Sequence, residues 1–386
     1  MMTAHHPPRK PTLGRFVPLT LLLTVVSTFM GSTATFASLP APKDLTVDEN
    51  PSATALPGVP PLEHASTEDR ARELCRLANA AARRGEHAAA RNYFQKALEV
   101  QPGFPLATFG LGLIAAAEED FPEAIRWFQA TLSQEPDHSL AHFNLATSFA
   151  LQDHLTDAIP HFERVLELDP DDASARRHLV KVHLQLAQAA EVEGPQALDR
   201  AIVHYRAAAA TDPSQAITHL SLGSALGRSQ QFVAAAESYH QAVERAPLDT
   251  NAHLGRATAL LLAKRFGDAR GAIEDSLERL RDEDAESIRL SLRHALARLL
   301  ASCPVDTVRD GEKALELSLQ VFERRPGLEH GQTVAMAYAE LGRFDMALHW
   351  QEKMLQEIER RGEDEALPAA RERLALYADG EAYRDP

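Results

Sequence analysis

Cysteine is nearly missing from this sequence. Cys75 and Cys303 are the only two in 386 residues, neither belongs to a CxxC, and no CxxCH is present for covalent haem attachment. So far apart in sequence, they are not expected to pair, and they read as isolated thiols in helical packing. Aromatics are scarce at 6%, which, beside abundant Ala and Leu, favours helices over a β-rich core. Positive charge is also in deficit, with 40 Lys and Arg against 55 Asp and Glu and a formal net charge of −15. An acidic body repels phosphate backbones, so nucleic acid is not expected as a partner. The sequence has no GxSxG, no GxxxxGK[ST] and no GxGxxG after a strand. It therefore offers neither a serine-nucleophile elbow nor a nucleotide cradle. No apolar run reaches the roughly 20 residues of a bilayer-spanning helix.

What is present at the front is an export pattern. Arg9, Lys10 and Arg15 form a basic start without any acidic residue, Phe16 to Met30 is apolar, and small residues follow up to Thr35-Phe36-Ala37. Residues 1–37 thus read as a signal peptide cleaved after Ala37, giving a periplasmic or secreted protein with no membrane span in the mature chain. No cysteine stands near the cleavage site for a lipid anchor. Residues 38–67 carry Pro40, Pro42, Pro51, Pro57, Pro60 and Pro61 with almost no apolar periodicity, and are expected to form an extended linker.

From there the sequence repeats. Pro102, Pro136 and Pro170 are spaced by 34 residues, as are Pro213 and Pro247. Between them the same kinds of residue recur in register. Leu74, Leu77, Gly85, Ala90, Phe94, Ala97 and Leu98 mark the first unit, and Leu111, Gly112, Phe121, Ala124, Phe128 and Leu132 the second. Leu145, Ala146, Phe149, Ala158, Phe162 and Leu166 mark the third, and Leu222, Gly223, Phe232, Ala235, Tyr239 and Ala242 the fifth. Small residues allow close helix approach, the aromatic plugs into the next unit, and the proline stops the second helix. No unit buries its apolar face alone, so stacking must supply the core.

This pattern resembles the tetratricopeptide-repeat (TPR) family. The resemblance implies an all-α solenoid, a right-handed superhelix of antiparallel helix pairs, over residues 68–361. The expected units lie near 71–104, 105–138, 139–172, 173–215, 216–249, 250–283, 284–327 and 328–361, with a capping helix and tail at 362–386. Two of the eight are irregular. Unit four is long, with its excess around Gln188 to Pro195 expected in the helix–helix connection. Unit seven carries Cys303-Pro304-Val305-Asp306. Unit six has Arg281 where proline would stand. The stretch from His294 through Phe322, Ala339 to Phe344, and the ending Arg373 to Tyr377 with Tyr383-Arg384 resemble the C-terminal module of many bacterial TPR proteins. That supports a bacterial, exported source.

Repeats account for nearly everything after the linker, so no catalytic domain and no cofactor are expected. The family binds proteins or extended peptides along a concave face lined by the first helix of each unit. Carried over, the partner-binding positions are Leu106, Phe109, Leu113, Leu140, Phe143, Thr147, Leu151, Arg177 and Lys181. They would form an apolar, Phe-containing groove with cations at one end, suited to apolar side chains followed by an acidic group. The family's lysine-and-asparagine clamp for chaperone C-termini is not reproduced, Asn79 and Asn144 being isolated. Two rival expectations are weighed against the scaffold. One is a metal-binding or enzymatic accessory protein using histidines, of which there are 17, with His138 and His142 four apart on one helical face. No HExxH and no third ligand accompany that pair, and His142, His219 and His253 share one repeat position, which argues for packing. The other is self-assembly through an exposed end repeat.

Overall fold

The computed structural model describes residues 66–280 and 286–385. The export segment 1–37, the linker up to residue 65 and Arg281 lie outside the described residues. Among the described residues there are 17 α-helices and no strand. They pair as α1 (Thr67–Arg83) with α2 (His87–Val100), α3 (Pro105–Ala117) with α4 (Phe121–Gln134), and α5 (Ser139–Leu151) with α6 (Leu155–Leu168). Next come α7 (Ala173–Glu193) with α8 (Leu198–Thr211), α9 (Ala216–Arg228) with α10 (Phe232–Arg245), and α11 (Thr250–Leu262) with α12 (Phe266–Arg279). The series ends with α13 (Glu286–Ser302) and α14 (Gly311–Arg324), α15 (Leu328–Glu340) and α16 (Phe344–Arg361), and the closing helix α17 (Leu367–Ala378). Each helix packs on its sequence neighbours, and in several adjacent units the first helices also pack on one another, which makes the array an α-solenoid.

The prolines act as expected. Helices α2, α4, α6, α8 and α10 all stop two residues before Pro102, Pro136, Pro170, Pro213 and Pro247. The residue between is extended, as at Gln101 with φ −136° and ψ 98°, because the proline ring excludes the helical conformation of its predecessor. The turn inside each pair has its own device. In six units the chain closes the first helix with a residue in the left-handed region: Gly85, Glu119, Asp153, Gln230, Lys264 and Gly342, all with φ between 57° and 74°. The next N–H then donates back five residues, for example Glu86 to Ala81 O at 3.0 Å and Asp120 to Ala115 O at 2.9 Å. This is the Schellman closure.

Units four and seven, the two irregular ones, lack that closure. In unit four the extra residues do not lengthen the connection, as the sequence suggested, but extend α7 to 21 residues against 13 in the regular first helices α3, α5, α9 and α11. Gln188 to Glu193 are mostly good helix formers, and the helix ends only at Gly194, φ +109°, before Pro195. Glu191 on the added turns has its side chain 6% exposed, accepts from the Tyr205 hydroxyl at 3.0 Å and pairs with Arg228 of α9 at 2.6 Å. In unit seven the connection from Cys303 is held by Arg309, which donates to Cys303 O at 2.8 Å and pairs with Glu340 of α15 at 2.9 Å.

The aromatic series forms the plugs. Phe94, Phe128 and Phe162 are fully buried, each worth on the order of 2–3 kcal/mol. A Cβ on Gly112 would stand 2.5 Å from the Phe128 ring, and one on Gly255 2.5 Å from Tyr239. Tyr239 of unit five thus reaches α11 of unit six, and no larger residue fits beneath it. Cys75 and Cys303 are both buried free thiols.

Candidate partner-binding surface

The nine residues expected to face a partner lie on α3, α5 and α7, and the structure divides them. At the second position of the first helix, Leu106 and Leu140 are 42% and 40% exposed. Leu151, the last residue of α5, is also exposed, as is Arg177. Phe109 is half-buried, its ring 5.8 Å from Phe128 and 4.7 Å from His138. Lys181 is half-buried.

Three of the nine are closed off, which corrects the expectation of a continuous Phe-containing groove. Phe143 is 4% exposed, and meets Phe162 and His178 edge-on at 5.6 and 5.2 Å. Its position faces the seam between α6 and α7, and His178 fills that seam. Thr147 is 4% exposed and donates its hydroxyl to Phe143 O at 2.9 Å. Leu113 is 6% exposed, within the cluster around Phe128. What remains open is a set of separated leucines, the edge of Phe109 and a cationic end at Arg177. Among the described residues the Arg177 guanidinium meets only neutral oxygens of its own helix, Ala173 O at 3.2 Å and Ser174 Oγ at 3.5 Å.

The histidines have structural occupations. His142, His219 and His253 place Nε2 at 2.8, 3.1 and 2.9 Å from the carbonyl oxygens of Pro136, Pro213 and Pro247. A carbonyl only accepts, so Nε2 carries the proton in each ring. In unit four Arg176 takes the same role toward Pro170 O. With Nε2 carrying the proton toward Pro136 O, Nδ1 of His142 is left to accept from His161 Nδ1–H, 3.0 Å away. His253 Nδ1 likewise takes the Ser276 hydroxyl at 2.8 Å. His138 caps α5 by accepting from Ala141 N at 3.1 Å.

Burial acts on the titration of several of these rings. It lowers the pKa of His138, His161, His219 and His253 below the ordinary imidazole value. At His183, burial and then the neighbouring His204 bring it to about 4. Among the described residues no three His, Cys, Asp or Glu side chains stand close enough to hold a metal ion. His138 and His142 therefore have no third ligand, and their nitrogens already hold a helix cap, a turn carbonyl and His161. The shared repeat position of the histidines was legible in the sequence. Their bond to the turn carbonyl was not, because the acceptor is a backbone atom.

No helix among the described residues is long and apolar enough to cross a membrane. A family model for the tetratricopeptide repeat matches residues 75–139, 120–173, 143–216 and 220–285, together more than half of the chain. No curated protein matches it. Among solved structures, one described as YrrB, a TPR protein with an unusual peptide-binding site, is 24% identical over 48% of this chain and 91% of that one, with a TM-score of 0.35. MamA from Desulfovibrio magneticus RS-1 is 21% identical over 47% of this chain and 97% of its own, with a TM-score of 0.32. The first TPR of Spaghetti (RPAP3), bound to an HSP90 peptide, is 21% identical over 32% of this chain and 98% of its own, with a TM-score of 0.31.

Proposed function

The chain belongs to the tetratricopeptide-repeat family, and from that premise we propose that it is a non-catalytic scaffold in the bacterial periplasm or cell envelope, holding a partner protein or extended peptide on the first helices of units two to four. Members of the family mediate protein–protein interaction, and the fold is ordinarily a non-catalytic one. One observation carries the choice of surface. Leu106 and Leu140 stand exposed at equivalent positions of adjacent units, and Arg177, on the first helix of the next unit, meets only neutral oxygens among the described residues. Apolar side chains followed by a carboxylate match that order. The compartment rests on the basic, apolar and small-residue succession of residues 1–37.

The test is affinity capture from native envelope extract with the mature chain from Ser38 as bait. Leu106→Glu/Leu140→Glu serves as control, and circular dichroism verifies its fold. A partner retained by the bait and lost with the folded control supports the reading. A partner retained equally by both overturns the choice of surface. Sequencing the amino terminus of protein recovered from its native source tests export, and a start at Met1 would refute it.

A further inference from the structure

After α17 the chain turns at Gly380, φ +73°, and the next residues, without helix or turn, lie against α13, α15 and α17. Ala382 and Tyr383 pack on the cluster of Ala335, Ala339, Ala347 and Tyr377. The Tyr383 ring lies 5.5 Å from the Arg373 guanidinium of α17. Arg384 pairs at 2.7 Å with Glu340 of α15. Asp385 accepts from Arg298 Nε and Nη2 of α13 at 2.7 and 2.8 Å, with Ser302 Oγ at 2.9 Å. Its backbone N–H donates to Ser302 O at 2.8 Å. Burial pushes the Asp385 carboxyl up, but the Arg298 bonds and charge outweigh it and leave the pKa below the usual value.

Three successive side chains are thus seated on three different helices, with one backbone bond and one bidentate carboxylate clamp. That is how an extended peptide is read on a helical surface. The segment itself is lightly held for a piece of core. Only Ala382 and Tyr383 join an apolar cluster, and the rest depends on ion pairs whose side chains stay partly exposed. Beneath it, the Tyr377 hydroxyl, in a residue 1% exposed, and Arg373 Nε are buried without a partner among the described residues. A different segment offering them a hydrogen bond would hold the surface better than the present one.

We propose that the face of α13, α15 and α17 is a second peptide-binding surface, filled in cis by Ala382–Asp385 and open to partner segments that present an aromatic, a basic and an acidic residue in succession. It is independent of the surface on units two to four. The probe is a fluorescent peptide of the sequence Gly380–Pro386, followed by anisotropy with the full chain. The unaltered chain, already occupied, is expected to bind it weakly. Tyr383→Ala/Asp385→Ala releases the segment and should bind the probe at least tenfold more tightly, on the order of 1.4 kcal/mol. Adding Arg298→Gln should then lose roughly 30-fold or more, the scale for removing one partner of a clamped carboxylate. Equal binding by the unaltered and released chains, binding indifferent to Arg298, or no binding by the released chain overturns the proposal. So does a released chain that loses its helical circular dichroism, since the segment would then be part of the fold.

Discussion

Replacing Glu119, Gln230 and Lys264 together with glycine should stabilise the array. Each holds φ near +60° in the turn between paired helices: 60°, 59° and 57°. An L-residue pays about 1–2 kcal/mol for that conformation, while glycine forfeits about 0.5–1 kcal/mol through its freer unfolded chain. The net gain is therefore about 0.5–1 kcal/mol per turn. Nothing offsets it locally, because all three side chains are exposed and a Cβ at the equivalent Gly85 or Gly342 meets no atom within 4 Å. The three lie in separate units and share no partner, so the gains should add to about 2 kcal/mol. Asp153, φ 63°, is left out because aspartate tolerates the left-handed region better. Thermal unfolding followed by circular dichroism should rise by roughly 4 °C or more. The mirror substitution Gly85→Glu should lower it by about a third of that. A triple variant melting at or below the unaltered chain, or an indifferent Gly85→Glu, would refute the argument.

Acid should weaken the fold in a defined window. Burial and the neighbouring His204 bring the His183 pKa in the folded chain to about 4, against 6.5 for an ordinary imidazole, so the unfolded chain binds the extra proton between those values. Its contribution is complete above pH 6.5 and falls as pH drops, by roughly 2 kcal/mol at about pH 5. Urea midpoints at neutral pH and near pH 5 should converge partly in His183→Asn, and an unchanged acid loss in that variant would count against the assignment. Phe143→Ala should cost ~3–5 kcal/mol of stability, whereas Leu140→Ala should change it by no more than ~0.5 kcal/mol. Urea unfolding giving the reverse order would show the burial of Phe143 to be wrong.

The repeat was legible because its punctuation is local: a proline fixes where a helix stops whatever lies around it. The choice between groove and core was not. Phe109 and Phe143 hold the same repeat position and the same residue type, yet one keeps an edge open and the other is sealed by His178. What distinguishes them is the next unit, which helical periodicity does not encode. The long α7 was misjudged for a related reason. Gln188 to Glu193 favour helix on propensity, but the excess over the regular repeat length was placed in the connection, and the Glu191 bonds that hold the added turns come from α8 and α9. The Asp385 clamp likewise joins residues far apart in the chain.

The donors at the fourth position of the first helices show how a repeat keeps a function while changing the residue. His142, His219 and His253 each meet the carbonyl of the proline six residues earlier, and Arg176 does so in unit four. Proline ends the second helix and leaves its own carbonyl in the turn, so any side chain with an N–H of sufficient reach can satisfy it. If the bond matters and the ring does not, Arg176→His should be nearly neutral, while Arg176→Met, which keeps length and loses the donor, should cost about 1 kcal/mol. Arg176 is only half-buried, so water compensates part of the loss and a value near the lower end is expected. Urea midpoints of the two variants measure the difference directly. Equal midpoints would mean that the recurring contact is a by-product of packing, and the histidines would then owe their place to ring shape alone.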